Sequence, residues 1–498
     1  MSDSTETRRP DDQEPPVEPP AGPRKATLQE ALIPTVITII MLLAALFFLE
    51  ADAHIPLIIG GCIVAFMALR MGYTWKELES TIINSISLSM PACLILMSVG
   101  LLIGGWLASG IVPTMIYFGL QIINPAMFLV VAFLLCCITS LAIGTSWGTA
   151  STVGVALIGI AYGLGIPPAM AAGAVVGGAF FGDKISPLSD TTNLNAISSG
   201  VPLFDHIRFM LPVTIPATIL AVALYFALGM QFGGDHVGGD IPLITATLRE
   251  NFNISPILLI PPLFIIVIIA LKVPPLPGIL AGAFISVPAF YIFQAGVRFD
   301  NMLDATIHLI ASMHYGFRID TDMPTINRLL NRGGLDSKMW AISIVFCSMF
   351  FGGMMEKTGS LAALTQGMIR FAKGTGSLVL TSLFGSLFAN MITADQYLAI
   401  ILPGRMFRKE YIIRGYHPKM LARTLEGGGT LSSPLIPWNA CGAFIAVTLG
   451  VPTLQLLPFA FFNLISFALI GLFGIFQISV SRITEEEKAE LLAMQPEL

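Results

Sequence analysis

The chain has 498 residues, 55% hydrophobic and 11% charged, with a net charge of −5. Soluble proteins carry roughly 25% charged residues, so this composition cannot clothe a soluble surface. It excludes an ordinary cytosolic enzyme, a disordered protein and a disulfide scaffold, and the slight acidity gives no footing for a nucleic-acid partner. What remains is a polytopic membrane protein.

Residues 1–26 hold six prolines, six acids and four bases. Such a segment cannot bury enough apolar surface to offset its ordering entropy, and it reads as a disordered N-terminal tail. It is not a signal peptide, because the first apolar run starts only at Leu32 and is long enough to span. A spanning helix needs about 20 mostly apolar residues. Candidate spans follow at 32–49, 55–70, 84–108, 124–143, 148–165, 168–182, 207–230, 254–271, 275–294, 339–355, 376–393, 432–450 and 454–479. Shorter apolar pieces at 111–122, 360–371 and 395–404 read as half-helices or re-entrant segments. The expected fold is an all-α polytopic membrane protein with about 11–14 transmembrane segments, some broken, in the cell membrane. A first transmembrane half covers 27–296, a polar connector 297–337, a second half 338–481 and a C-terminal tail 482–498. The six cysteines (Cys62, Cys93, Cys136, Cys137, Cys347, Cys441) lie in apolar stretches without metal-ligand spacing and read as packing residues.

Two polar breaks look alike. Gly144-Thr145-Ser146-Trp147-Gly148-Thr149 is followed, after an apolar stretch, by Gly182-Asp183-Lys184-Ile185-Ser186-Pro187-Leu188-Ser189-Asp190-Thr191-Thr192-Asn193. In the second half, Asn390 to Gln396 is followed by Glu426 to Asn439. Setting Ser186-Pro187-Leu188 on Ser433-Pro434-Leu435 leaves the upstream breaks, at Ser146 and Ala394, at nearly equal distances. The loop at 163–170 is uncharged, whereas 405–423 carries six bases and one acid. If basic means cytoplasmic, equivalent loops lie on opposite sides of the membrane. That is an inverted-topology repeat, in which paired breaks point to a transport site.

The segment 182–193 concentrates acids, hydroxyls and a proline that interrupts a helix. Freed carbonyls, carboxylates and hydroxyls make the hard oxygen cage that a small cation such as Na⁺ takes, by analogy with Ca²⁺ and Mg²⁺. Ionisable groups inside a membrane read first as functional. Thr145 and Ser146 supply neutral oxygens, Asp395 lies in the matching break, and Glu426 is either a site acid or an acid at the mouth. No Walker loop, HExxH or CxxC is present. Coupling to an ion gradient therefore replaces ATP, with no cofactor. An ion channel is disfavoured because a repeat within one chain suits alternating access, and no residues support a membrane-embedded enzyme.

The stretch Phe181 to Asn193 resembles the hallmark of the NhaC-type Na⁺/H⁺ antiporters, and Ser433-Pro434-Leu435-Ile436-Pro437-Trp438-Asn439-Ala440-Cys441-Gly442 is similar to their second signature. Leu329-Leu330-Asn331-Arg332-Gly333-Gly334 and Phe351-Gly352-Gly353 also look like family segments, so the resemblance runs over residues 30–480. It implies a secondary transporter of the ion-transporter superfamily that exchanges sodium for protons. Some such relatives exchange malate and lactate. Asp183, Ser186, Asp190, Thr191 and Asn193 match the first signature and Asn439 the second. Asn327 departs from the pattern, where an acid is expected. The expected ion-binding set is Asp183, Ser186, Asp190, Thr191, Asn193, Thr145, Ser146, Asp395, Ser433 and Asn439. Na⁺ and H⁺ compete there for Asp183 and Asp190 first and Asp395 third, with Lys184 as the charge partner of Asp183. The alternative is Na⁺/H⁺-coupled organic-anion exchange or amino-acid transport, with the helix ends at Ser186 and Ser433, or Lys184, holding a carboxylate. Li⁺ or a small carboxylate as further cargo, and a homodimer, are compatible with the sequence.

Overall fold

The computed structural model describes residues 23–232, 241–271 and 273–493. The tail expected at 1–26 and the C-terminal tail therefore lie partly outside the described residues. Two helices lead in, α1 (Leu28–Phe47) and α2 (His54–Arg70). At the start of α1 the Thr27 hydroxyl accepts from the Glu30 N–H, and the Glu30 carboxylate accepts from the Thr27 N–H at 2.9 Å. This reciprocal box satisfies two donors that a helix start leaves without partners.

The first long unit follows: α3 (Trp75–Ala108), α4 (Ile111–Ile122), α5 (Phe128–Ile143), α6 (Ser146–Thr149), α7 (Val155–Gly163), α8 (Pro168–Ile185), α9 (Asp190–Ser199) and α10 (Leu203–Gly229). A π-helical turn, Ala150–Gly154, joins α6 to α7. The intervening helices are α11 (Ile241–Asn251), α12 (Ile260–Ala270), α13 (Pro275–Phe290), α14 (Gly296–Arg298), α15 (Met302–Tyr315) and α16 (Pro324–Leu330). The last unit is α17 (Met339–Lys357), α18 (Ser360–Ile369), α19 (Thr375–Thr393), α20 (Gln396–Ile413), α21 (Lys419–Leu425), α22 (Ala440–Leu449), α23 (Thr453–Leu456), α24 (Phe461–Ile475) and α25 (Glu485–Ala493).

Among the described residues, seven helices are individually long and apolar enough to cross a membrane, and the bent pair Ala440–Leu449 and Thr453–Phe459, meeting at 86°, makes an eighth span if counted as one. The sequence reading of 11–14 segments counts apolar stretches. The structure shows that several of these are short helices of 10–17 residues, such as His54–Arg70 and Phe461–Ile475. Others are interrupted, as at 146–163 and 168–199. Large apolar side chains left exposed on α1 and α10, such as Ile33, Ile40 and Ile219, face outward, as suits lipid rather than water.

The two long units repeat with a constant spacing of 250 residues. Helix α5 ends at the left-handed Gly144 and α19 at the left-handed Ala394. Extended Thr145 and Asp395 come next, and helices restart at Ser146 and Gln396. Ser189 caps α9 and Asn439 caps α22. Both helices are 10 residues long and end at a left-handed glycine, Gly200 and Gly450, followed by Val-Pro in each case. The interior agrees: Ser140 bonds the carbonyl of Ala179, and Asn390 bonds that of Gly429. A Cβ on Gly178 would strike the carbonyl of Phe133, and one on Gly428 that of Leu383.

This spacing corrects the register read from the sequence. Pro187 is equivalent to Pro437, not Pro434, and Ser146 to Gln396, not Ala394. Caps and left-handed residues, not tripeptide identity, fix where the backbone breaks. In the second unit Ser433-Pro434-Leu435 is a 3₁₀ turn ahead of the break, at a position where the first unit is still α-helical.

The units contact each other reciprocally. Trp147 of the first stacks on Phe444 of α22 at 4.2 Å and donates to Cys441 at 3.3 Å. Its equivalent, Tyr397 of the second, donates to Asp190 at the start of α9 at 2.5 Å. Helix α10 packs on α5 and α21, and α24 on α19 and α8. Such exchange of like contacts is what a two-fold relation requires.

Candidate functional site

The breaks of both units converge on one cavity of about 590 Å³. Helix starts at Ser146, Asp190, Gln396 and Ala440 all line it. A helix N-terminus presents free N–H groups and a partial positive charge, so four of them offset negative charge inside. That charge comes from Asp183, Asp190 and Asp395, and no Lys or Arg is among the described lining residues.

Asp183 is the best-held of the three. It lies in the last turn of α8 and is 2% exposed. Its Oδ2 accepts from Ser146 at 2.6 Å, and its Oδ1 from Ser189 at 2.7 Å and Thr191 at 3.3 Å. Thr192 binds its main-chain carbonyl at 2.6 Å. Three helices thus close on one carboxylate: α6 through Ser146, α8 through Asp183 itself, and α9 through Thr191, with the cap Ser189. Each hydroxyl keeps lone pairs beyond the proton it donates and can rotate to offer them to a cation.

Asp190 opens α9 and faces the cavity, bonded to Tyr397. Asp395 caps α20, accepting from the Leu398 N–H at 2.9 Å. Thr145 lines the cavity beside Ser146. Five expected residues do not line it: Thr191, which reaches it only through its bond to Asp183, and four others. Ser186 donates to the Leu141 carbonyl at 3.0 Å and accepts from Leu188, so it shapes the turn. Asn193 donates to the carbonyls of Pro187 and Ser189, bracing the break from outside. Ser433 and Asn439 both bond Asn390, at 2.8 and 2.7 Å. Ser433 occupies the position equivalent to Asp183, so the second unit carries a neutral counterpart of the first unit's acid cluster.

Lys184 forms no ion pair with Asp183 among the described residues. Its Nζ lies 5.8 Å from the centre of the Phe462 ring. Successive residues on a helix do not face each other, which accounts for the absence of a direct pair. Asn327 bonds Asp320 and Thr321 at 320–327 and does not line the cavity. The sequence reading missed Ser189, Tyr397 and Asn390. Ser189 sat in the motif unremarked, whereas the other two are revealed only by partners in another part of the fold.

The fold and the site together define a class: a polytopic membrane protein whose duplicated, broken helices enclose a polar centre. The chain matches the Na⁺/H⁺ antiporter family over residues 26–192 and 178–478. It is 37% identical over 459 residues to the Na⁺/H⁺ antiporter NhaC of Alkalihalophilus pseudofirmus, covering 92% of this chain and 98% of the relative. It is 36% identical over 452 residues to the malate-2H⁺/Na⁺-lactate antiporter of Bacillus subtilis, covering 91% and 95%. It is 37% identical over 459 residues to the arginine/ornithine antiporter ArcD of Halobacterium salinarum, covering 91% and 92%. The chain belongs to the Na⁺/H⁺ antiporter family.

Proposed function

We propose that this protein is a secondary active transporter that exchanges Na⁺ for H⁺ across the cell membrane, the two cations competing for Asp183. The observation that supports this reading is the buried Asp183 carboxylate, ringed by three hydroxyls and opening on a cavity where four helix starts meet. Ionised, the carboxylate and its rotatable hydroxyls offer hard oxygens to Na⁺. Protonated, the carboxyl loses its charge and the cage loses its hold on the ion. Asp190 and Asp395 draw cations into the cavity. The helix starts around the cavity offset its negative charge. The repeats are inverted and rock around the site to open it to each side in turn.

The test is transport by the full chain in liposomes holding a pH-sensitive dye and an imposed pH gradient. Na⁺ alone dissipates the gradient through the wild type and fails to do so through Asp183→Asn. Equal rates in both would remove Asp183 from the mechanism. Li⁺ belongs in the same assay, as the smaller alkali cation. A homodimer is not required by this reading.

One observation favours a second reading. At roughly 30 Å³ per water, the cavity of about 590 Å³ has room for about 20 waters. That is within the size range of small-molecule sites, and Trp147 and Tyr397 line it. The surplus of acids suits an amino acid with a cationic side chain better than a free dicarboxylate. If the gradient collapses only once arginine or malate is added with Na⁺, cargo rather than site must be revised.

A further inference from the structure

A second polar cluster lies outside the cavity lining, farther along α9, and the mechanism above does not use it. At its centre is Glu426, in the π-helical turn Glu426–Thr430. Its carboxylate is 0% exposed, as are Lys184, His206, Asn195 and Thr430. Asn195 Nδ2 donates to Glu426 Oε2 at 2.5 Å, and His206 Nε2 lies 3.7 Å from the same oxygen. Glu426 Oε1, both ring nitrogens of His206, Asn195 Oδ1 and Lys184 Nζ find no hydrogen-bond partner among the described residues. Buried polar groups are nearly always bonded. Glu426 Oε1 and the His206 ring nitrogens thus keep unused bonding capacity beside each other in a fully buried cluster.

The cluster breaks the repeat. The position equivalent to Glu426 in the first unit is Val176, and the position equivalent to Lys184 in the second is Pro434. It is also joined to the cavity. Thr191 and Asn195 are one turn apart on α9 and share a face. Thr191 bonds Asp183, while Asn195 bonds both the Thr191 carbonyl and Glu426.

We infer that Glu426, with His206 beside it, is a second proton-binding site, separate from the cavity and linked to Asp183 through Thr191 and Asn195 on α9. The charged and titratable groups near Glu426 are Asp183 and Lys184 from α8 and His206 from α10, with Arg423 of α21 near Lys184 and Tyr411 of α20 beside Arg423; α9 contributes Asn195. Arg423 is turned toward the rings of Phe209 and Phe473, at 4.6 and 5.7 Å, and forms no ion pair with Glu426 among the described residues. A cation at one end of α9 and a proton at the other are coupled, and that coupling is reciprocal. The link to Na⁺ rests on the proposed antiport, whereas the proposed site at Glu426 does not.

The experiment is infrared difference spectroscopy on the purified full-length protein between acid and alkaline pH, followed by Na⁺ addition at constant pH. The expected result is a carbonyl band of a protonated carboxylic acid that appears on acidification, persists in Asp183→Asn and disappears in Glu426→Gln. Glu426→Asp, which keeps a carboxyl if Glu426→Gln fails to fold, displaces the band instead. Na⁺ diminishes the band in the wild type but not in Asn195→Ala. A band untouched by both Glu426 variants would overturn the site, and a Na⁺ response retained in Asn195→Ala would overturn the link. If Na⁺ has no effect even on the wild type, antiport and the link fall together, while the pH-dependent band decides the site by itself.

Discussion

Three hydroxyls converge on one carboxylate at Asp183, and each bond is separately removable. Hydrogen bonds to charged groups contribute about 1.5–3 kcal/mol, so Ser146→Ala should weaken Na⁺ binding roughly 10- to 100-fold while leaving the carboxylate to titrate. Isothermal titration of Na⁺ at alkaline pH checks this, with Asp183→Asn expected to show no binding. Tyr397→Phe removes only the contact with Asp190. It should raise the apparent KM for Na⁺ more than it lowers the maximal rate, because Asp190 lines the cavity without closing on the ion. An equal loss in Asp190→Asn and Asp183→Asn would make the two acids partners instead.

Among the helices, the breaks depend on a few backbone positions. Gly144 has φ of 78°, and a Cβ there would lie 2.6 Å from that of Leu188. Gly144→Ala thus combines left-handed strain, roughly 1–2 kcal/mol, with a collision against the turn that carries Ser189. We expect a lower melting temperature in detergent together with reduced Na⁺ binding, because α6 and the 186–189 turn are displaced as one. Gly178 and Gly428 play a different part, letting α8 and the second unit's π-helical turn touch the backbones of α5 and α19. Small residues at such contacts are how helices pack closely in lipid. Gly178→Val should lower stability without a selective effect on Na⁺ affinity, which a thermal-shift series against Na⁺ concentration would separate.

Across the molecule, the 250-residue spacing makes a prediction about sidedness. Pro167 and His417 are equivalent positions in the loops that follow α7 and α20. In an inverted repeat, Pro167→Cys and His417→Cys react with a membrane-impermeant thiol reagent from opposite faces of the membrane. Cys62 is the one exposed native thiol among the described residues and is replaced first. Labelling of both from the same face would make the repeat parallel and end the rocking mechanism.

Hydropathy made the membrane class and most spans legible, because burial in lipid acts on each segment by its own composition. Part of the Asp183 cluster was legible for a similar reason: Asp183 and Thr191 lie within one short break that local geometry closes, although Ser189 between them went unremarked. Direction was harder to read. Lys184 adjoins Asp183 in the chain but points to a different neighbour, the Phe462 ring, since successive residues on a helix diverge. Tripeptide identity misled the register of the repeat, because a 3₁₀ turn puts the second Ser-Pro-Leu ahead of the break. Trp147 meets Cys441 from 294 residues away, and Asn195 meets Glu426 from 231. Composition and local motif can define a membrane chain with an acid in a broken helix. Which side chains share the cavity, and which lie outside its lining, depends on packing between two halves whose contacts leave no trace in linear spacing.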